Sequence, residues 1–395
     1  MRALAFALLV PATALASGFA IPEQSAKSLG MGGTGIAADV GAAALYYNPG
    51  ALGWGEGIAA ELSGTLIIPS FKYEPLRSID GTPASAKTQV FVLPAAFVAF
   101  PVGPVRLGVG VFSNFGLGLE WPAGFDGRFE AQSSNLQTFT FNATAAWKLH
   151  RHISIGAGFD LVRGTVQLSQ RLNMIDAEGL LTLGGGTWGA GANAGVALRF
   201  LDDRLTIGAT YRSAVALAFE GRADFVVPPE FEATLRDQPI RTTIVLPHII
   251  ALGVGFRVTP KLQLSLDGTY TTWSTIDAFR FDFEDDALDQ ELRRDWVNTV
   301  TFRLGGQWEV VDKLTLRAGF GFDQSPAPAE TLSPSLPDAH RLFGSVGAGY
   351  RIGNFSIDAG YLLAGLLTRQ SAEPAFPGRY SGLAHLIGLT ASFRQ

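Results

Sequence analysis

Five histidines, at positions 150, 152, 248, 340 and 385, are the side chains best suited to move a proton or hold a metal near neutral pH. His150 and His152 fall at a turn and His340 in or near a loop. None of the five has an evident serine and acid partner with which to build a nucleophile and its base. The run Glu284-Asp285-Asp286 has oxygens for a divalent cation but reads as a solvated loop edge. Cysteine is absent, which removes disulfides and thiolate metal sites together. A net charge of −5 leaves no basic footprint, so nucleic acid is not an expected partner. The expectation is a chain without catalytic machinery, metal or cofactor.

The elements that carry these residues are exported. Met1 and Arg2 precede a nearly uninterrupted apolar run from Ala3 to Leu15, and Ala14-Leu15-Ala16 offers the small residues of a cleavage site. Residues 1–16 thus read as a secretory signal peptide, with the mature chain starting near Ser17-Gly18-Phe19. Beyond it no apolar stretch reaches the roughly 18 residues of a membrane helix. Yet only 16% of residues are charged, against about 25% in an ordinary soluble domain. Export, sparse charge, abundant glycine and no helical span point to a membrane β-barrel.

Alternation supports that reading. Ile153, Ile155, Ala157, Phe159 and Leu161 form one row, opposed by Ser154, Gly156, Gly158 and Asp160. Leu314, Leu316, Ala318, Phe320 and Phe322 likewise oppose Thr315, Arg317, Gly319, Gly321 and Asp323. A soluble sandwich would carry Lys and Glu on its wet face, whereas these polar rows are small. Strands are expected near 57–70, 89–102, 105–121, 136–150, 153–170, 187–201, 205–225, 242–259, 262–283, 296–310, 314–326, 340–353, 355–366 and 384–395. About 14 antiparallel strands close without an edge, because an even number returns the last to the first. The fold class is therefore all-β, a monomeric transmembrane barrel spanning 57–395 in the outer membrane of a Gram-negative bacterium. Short turns such as 149–152, 202–204 and 311–313 would be periplasmic, and the long connections 171–186, 223–241, 283–295 and 326–339 external. A short helix is expected at 177–183.

Residues 17–56 do not alternate and are dense in Gly and Ala; a plug, or hatch, inside the lumen is the economical place for them. Val90 to Phe100, Ile249 to Phe256 and Tyr361 to Leu367 are apolar on both faces, which suits either a greasy conduit or packing against the hatch. Pro94, and Gly108 with Gly110 in the next strand, mark where pairing would bulge or open.

Several separated motifs resemble, in the right order, the FadL/TodX family of outer-membrane transporters for fatty acids and aromatic hydrocarbons. They are Gly18-Phe19 with Glu23-Gln24-Ser25, Tyr46-Tyr47-Asn48-Pro49, Ser113-Asn114-Phe115-Gly116-Leu117 and Thr210-Tyr211-Arg212-Ser213. Toward the end stand Leu314 to Gly319, Asp323-Gln324-Ser325-Pro326, Leu336-Pro337-Asp338 with Arg341, and Gly347 to Tyr350. The resemblance implies a fourteen-stranded barrel, an N-terminal hatch, and a lateral opening at an inward kink of the third strand, here carrying Gly108, Gly110 and Phe112. It also implies passive uptake of a hydrophobic small molecule, with Phe19, Asn48, Pro49, Phe112 and Phe115 at the hatch and pocket wall. Outer-membrane lipid, lipopolysaccharide and the barrel assembly machinery are the other partners implied.

Three departures stand out. The family's Asn-Pro-Ala reads Asn48-Pro49-Gly50, which would loosen the turn. A lysine that helps hold the carboxylate in the fatty-acid importer aligns with Val297, leaving Arg171, Arg293 and Arg294 as substitute cations. The chain ends Phe393-Arg394-Gln395 rather than on the aromatic residue that assembly machinery reads. Long-chain fatty acids are the expected substrates; neutral aromatic hydrocarbons, a plugged structural or adhesion barrel, and a polar-solute porin are the alternatives.

Overall fold

The computed structural model describes residues 18–38, 40–77, 81–174 and 176–395. The leader expected at 1–16 lies outside the described residues. Fourteen antiparallel strands form the wall: β1 (Ala59–Pro75), β2 (Phe91–Val102), β3 (Val105–Phe112 and Gly116–Glu120), β4 (Ser133–His150), β5 (Ile153–Asn173), β6 (Glu178–Phe200) and β7 (Leu205–Arg212 and Val215–Val226). They continue with β8 (Gln238–Leu246 and Ile249–Thr259), β9 (Leu262–Thr271 and Ala278–Phe283), β10 (Gln290–Arg293 and Thr299–Val311), β11 (Leu314–Asp323), β12 (Arg341–Ile352), β13 (Phe355–Gln370) and β14 (Gly378–Arg394). Each pairs with its chain neighbour, and β14 returns to β1 from Ala59↔Arg394 to Pro75↔Gly378, closing the cylinder. Closure satisfies the main chain without water, as hydrocarbon demands.

Polarity is reversed relative to a soluble protein. Ile155, Phe159 and Leu161 of β5, Leu252 and Val254 of β8, and Leu316 and Phe320 of β11 are exposed on the outside. The alternate residues Ser154, Asp160, Asp267 and Asp323 are buried inside. Tyr211, Ile250 and Tyr270 lie side by side across β7, β8 and β9 and face outward, so the apolar band ends there in an aromatic girdle.

One strand departs from expectation. The helix expected at 177–183 is absent, because β6 already begins at Glu178 and pairs with β5 from Asn173↔Glu178 onward. Leu181 and Leu183 alternate toward the interior and are held on both sides, Leu183 by Leu168 and by Ala223. Gly184-Gly185-Gly186 masks this strand in the sequence, since glycine is depleted in strands.

The segment before β1 packs inside the wall as α1 (Ala26–Gly30), a 3₁₀ turn (Gly41–Ala43), α2 (Ala44–Tyr47) and α3 (Pro49–Leu52). Helices this short are not stable alone. Their backbone donors are met by the wall: Ala26 N–H by Thr390 (2.8 Å), Gly32 N–H by Ser345 (2.8 Å), Ala42 N–H by Glu61 (2.9 Å), and Gly35 and Ile36 N–H both by Asp267 (2.7 and 3.0 Å). The polar inner row is thus a set of receptors for the hatch backbone. Wall glycines mark the closest approaches: a Cβ on Gly156 would strike Pro49, one on Gly195 would strike Asn48, and one on Gly319 would strike Gly32.

Replacing Gly319 with Val should leave the barrel assembled but lift the hatch from β11. Heat-modifiable electrophoretic mobility is expected to persist while proteoliposomes become permeable to small sugars; a variant that stays sealed would show that this contact does not seat the hatch.

Candidate functional site

The wall is interrupted where β3 breaks at Ser113–Phe115. Below the break β3 pairs with β2 up to Ala96↔Val111; above it, Gly116–Glu120 pairs only with β4. The N-terminal segment supplies partners there. Ile21 N–H donates to Asn114 (2.7 Å), Gly116 N–H donates to Phe19 (2.9 Å), and Ala20 bridges Phe115. Farther up, the two sides meet again where Lys87 N–H donates to the Glu120 carbonyl (2.7 Å).

This pairing places Phe19 in an aromatic cage. Its ring lies 4.9 Å from Trp273, 5.8 Å from Trp296 and 5.9 Å from Phe115. Gly18 precedes it at φ +61°, where any Cβ would collide with both tryptophans. A buried polar cluster lies nearby: Arg341 contacts Asp323 (3.4 Å) and Asp338, and Asp338 accepts from Ser325 (2.7 Å) and from Gly18 N–H (3.5 Å). The motifs around Asp323, Ser325, Asp338 and Arg341 therefore converge on the chain's first described residue. Burial raises the Asp338 carboxyl above the usual range, against the pull of Arg341.

Phe19 is also part of the lining of an apolar cavity that opens outward among Leu117, Leu136, Val166, Leu168, Leu181, Ile244, Phe281 and Leu292. Its free volume is about 80 Å³, room for two or three waters at about 30 Å³ each. A long alkyl chain therefore fits only if side chains move. On the other side of the Ala20–Pro22 stretch lies a polar compartment lined by Tyr46, Arg212, Asp267, Arg303 and Asp323. Arg212 is ion-paired to Asp160 and donates to the Tyr46 carbonyl (3.2 Å), joining hatch to wall.

Of the three candidate arginines, only Arg294 lines the cavity. Arg293 points outward, pairs with Asp295 (2.7 Å), and its side chain is 72% exposed. Arg171 donates to Gln132 (3.0 Å) and lines neither the apolar cavity nor the polar compartment. Arg294 is 6% exposed; it donates to Ser333 (3.0 Å) and Ser335 (2.8 Å) and lies 5.2 Å from the Phe279 ring. Among the described residues no carboxylate is in ion-pair contact with it, and its Nε has no partner. As a guanidinium it is cationic at neutral pH.

The other expected residues divide. Asn48 is fully buried and caps α3, accepting from Gly50 N–H (3.0 Å) and donating to Ile36 (3.0 Å) and Val196 (3.1 Å); Pro49 takes the first helical position. Gly50 lets α3 close on β6, where a Cβ would strike the Gly195 carbonyl. Phe115 belongs to the cage, but Phe112 packs lower, against Tyr46 and Phe97. Gly108 and Gly110 both sit in regular ladder, opposite Ala99 and Phe97, and Gly108 makes room for Leu45 of the hatch; the break lies beyond them at Ser113–Phe115, where the N-terminal segment pairs. Val297 is half exposed, and the neighbouring inward residue is Trp296.

Trp273 and Trp296 were not singled out from the sequence. Both lie where β9 and β10 break, at Thr272–Asp277 and Arg294–Asn298, so neither belongs to an alternating row. Large aromatics stranded between two alternating segments were the available signal.

A closed outer-membrane barrel, filled by its own N-terminal segment and carrying an apolar cavity above it, is a transporter architecture rather than that of an open porin. Residues 7–394 match the family described as outer membrane protein transport protein (OMPP1/FadL/TodX), and the chain belongs to it. It is 27% identical over 396 residues to a long-chain fatty acid transport protein of Escherichia coli, covering 89% of this chain and 87% of the relative. Its fold is similar to a Pseudomonas aeruginosa FadL homologue (TM-score 0.86, 21% identity, 95% and 99% of the two chains). It is also similar to the Pseudomonas putida toluene transporter TodX (TM-score 0.77, 19% identity, 93% and 97%). The protein is accordingly an outer-membrane barrel of the type that transports hydrophobic compounds.

Truncating Phe19 to Ala should empty the cage at a local cost of about 3–5 kcal/mol. Amide exchange across residues 18–24 is expected to accelerate while the strands stay protected; unchanged exchange would mean the ring does not hold the segment.

Proposed function

We propose that this protein takes up long-chain fatty acids passively, holding the carboxylate at Arg294 and the tail in the apolar cavity. The observation that carries the reading is a buried guanidinium that, among the described residues, forms no ion pair, set in a largely apolar cavity with Glu130 elsewhere on the same lining. A buried cation left so is costly, and a ligand carboxylate removes that cost. The amphiphile partitions from lipopolysaccharide onto the outer loops, and its tail gains about 25 cal/mol per Å² of apolar surface buried. Because the cavity's free volume is small, the arriving tail displaces Phe19 and, with it, residues 19–21 of the hatch.

That displacement breaks the main-chain bonds at Asn114 and Gly116. The unpaired stretch between β2 and β3, from Ala96↔Val111 up to Lys87, then serves as the lateral opening. No energy source is required; direction comes from consumption downstream. A second reading, uptake of neutral aromatic hydrocarbons, is favoured by one feature, the aromatic cage of Trp273, Trp296 and Phe115 around Phe19.

Arg294→Gln separates the two. Loss of a charged hydrogen-bond partner is worth about 1.5–3 kcal/mol, or roughly 10- to 100-fold in affinity. Oleate binding to the purified barrel should weaken by that factor while ethylbenzene binding stays the same. Equal effects on both ligands would overturn the carboxylate assignment.

A further inference from the structure

The wall has another interrupted junction, six strands round from the first. β8 and β9 are paired low down, from Ile249↔Thr271, and at the top only through Ile240↔Phe283 and Arg241↔Asp282. Between these, Thr242–Leu246 faces Thr272–Phe281 without ladder pairs. The bonds that span it involve threonine side chains or lie at its lower edge: the Thr275 hydroxyl donates to the Val245 carbonyl (3.0 Å), His248 N–H donates to the Thr272 hydroxyl (2.9 Å), and Thr272 N–H donates to the His248 carbonyl (3.0 Å). The Thr242 hydroxyl is buried beside the gap with no partner. A strand junction normally keeps its ladder, because unpaired main chain in a wall is costly.

The gap separates two spaces. Outside is a groove of about 410 Å³ along Arg241–Val245 and Thr275–Arg280; inside is the apolar cavity. Thr242, Ile244 and Phe279 line both. These side chains are shared by the two linings, and Phe279 is the ring that lies against Arg294. The groove begins just above the girdle of Tyr211 and Tyr270, at headgroup level. The unpaired strip Thr242–Leu246, five residues at ~3.3 Å each, is long enough for an alkyl tail to pass edgewise.

We propose that the β8–β9 gap is a second side port, gated by Ile244 and Phe279, through which the single alkyl tail of a carboxylate amphiphile reaches the cavity from the outer leaflet. This rests on the uptake reading above and adds an inlet on the wall opposite the β2–β3 junction. The ligand would pass across the barrel, in at one broken junction and out at the other.

The chain has no cysteine, so a reversible staple is clean. Continuing the register of Arg241↔Asp282 puts Thr243 opposite Arg280, both outside the cavity lining. In the T243C/R280C pair, bridged by oxidation or a short bis-maleimide, labelled oleate uptake by whole cells should fall at least 5-fold, and reductant should restore it in the disulfide form. Phe279→Ala, which opens the gate without a staple, should raise the uptake rate 2-fold or more. Bridged cells that take up oleate as fast as unbridged ones, or an F279A rate no higher than wild type, would overturn the port while leaving transport itself intact. Wild-type cells that take up no oleate would instead overturn the uptake reading on which the port rests.

Discussion

A β-strand that breaks inside a membrane wall must find new partners for its main chain, because neither lipid nor a neighbouring strand will supply them. In this barrel β3 finds them in residues 19–21 of the same chain. Much else follows from that exchange. The N-terminal segment is held at a fixed height, its phenylalanine becomes part of the cavity lining, and the junction between β2 and β3 is left without a ladder above Ala96. Occupancy of the cavity and integrity of the wall are thereby mechanically linked, since the same few residues serve both.

The interior is organised around the hatch rather than around a pore. Buried carboxylates and hydroxyls of the wall, Glu61, Asp267, Ser345 and Thr390 among them, are spent on hatch N–H groups. A water-filled channel would have kept such groups solvated. Above the hatch the character changes: the inward rows of β2, β5, β6 and β8 turn apolar, with Phe91, Leu93, Val166, Leu181 and Ile244 buried or half-buried there. Of the doubly apolar strands noted in the sequence, β2 packs its lower part, with Ala95 and Phe97, on the hatch, while Phe91 and Leu93 of its upper part join the apolar cluster above.

The cylinder was legible in the sequence because a period of two, small inward residues and an even strand count all impose the same answer. What failed to show were places where local pattern and tertiary pairing part company. The start of β6 was hidden by three consecutive glycines that are held by neighbours on both sides. The break in β3 is matched by a partner some ninety residues away in sequence, which no local pattern reports. The choice among the arginines was within reach. Leu292 and Arg294 are two apart and both line the cavity, so parity with an apolar residue already separates Arg294 from the exposed Arg293. The two tryptophans of the cage were missed because each sits in a gap between alternating segments.

The glycines along the inner wall have a consequence for how such barrels diverge. Gly156, Gly195 and Gly319 form a negative imprint of one particular hatch backbone, down to the absence of a methyl group. Plug and cylinder are therefore a matched casting and mould, and neither can drift in shape alone. Interchange of parts between distant relatives would have to carry both halves across together.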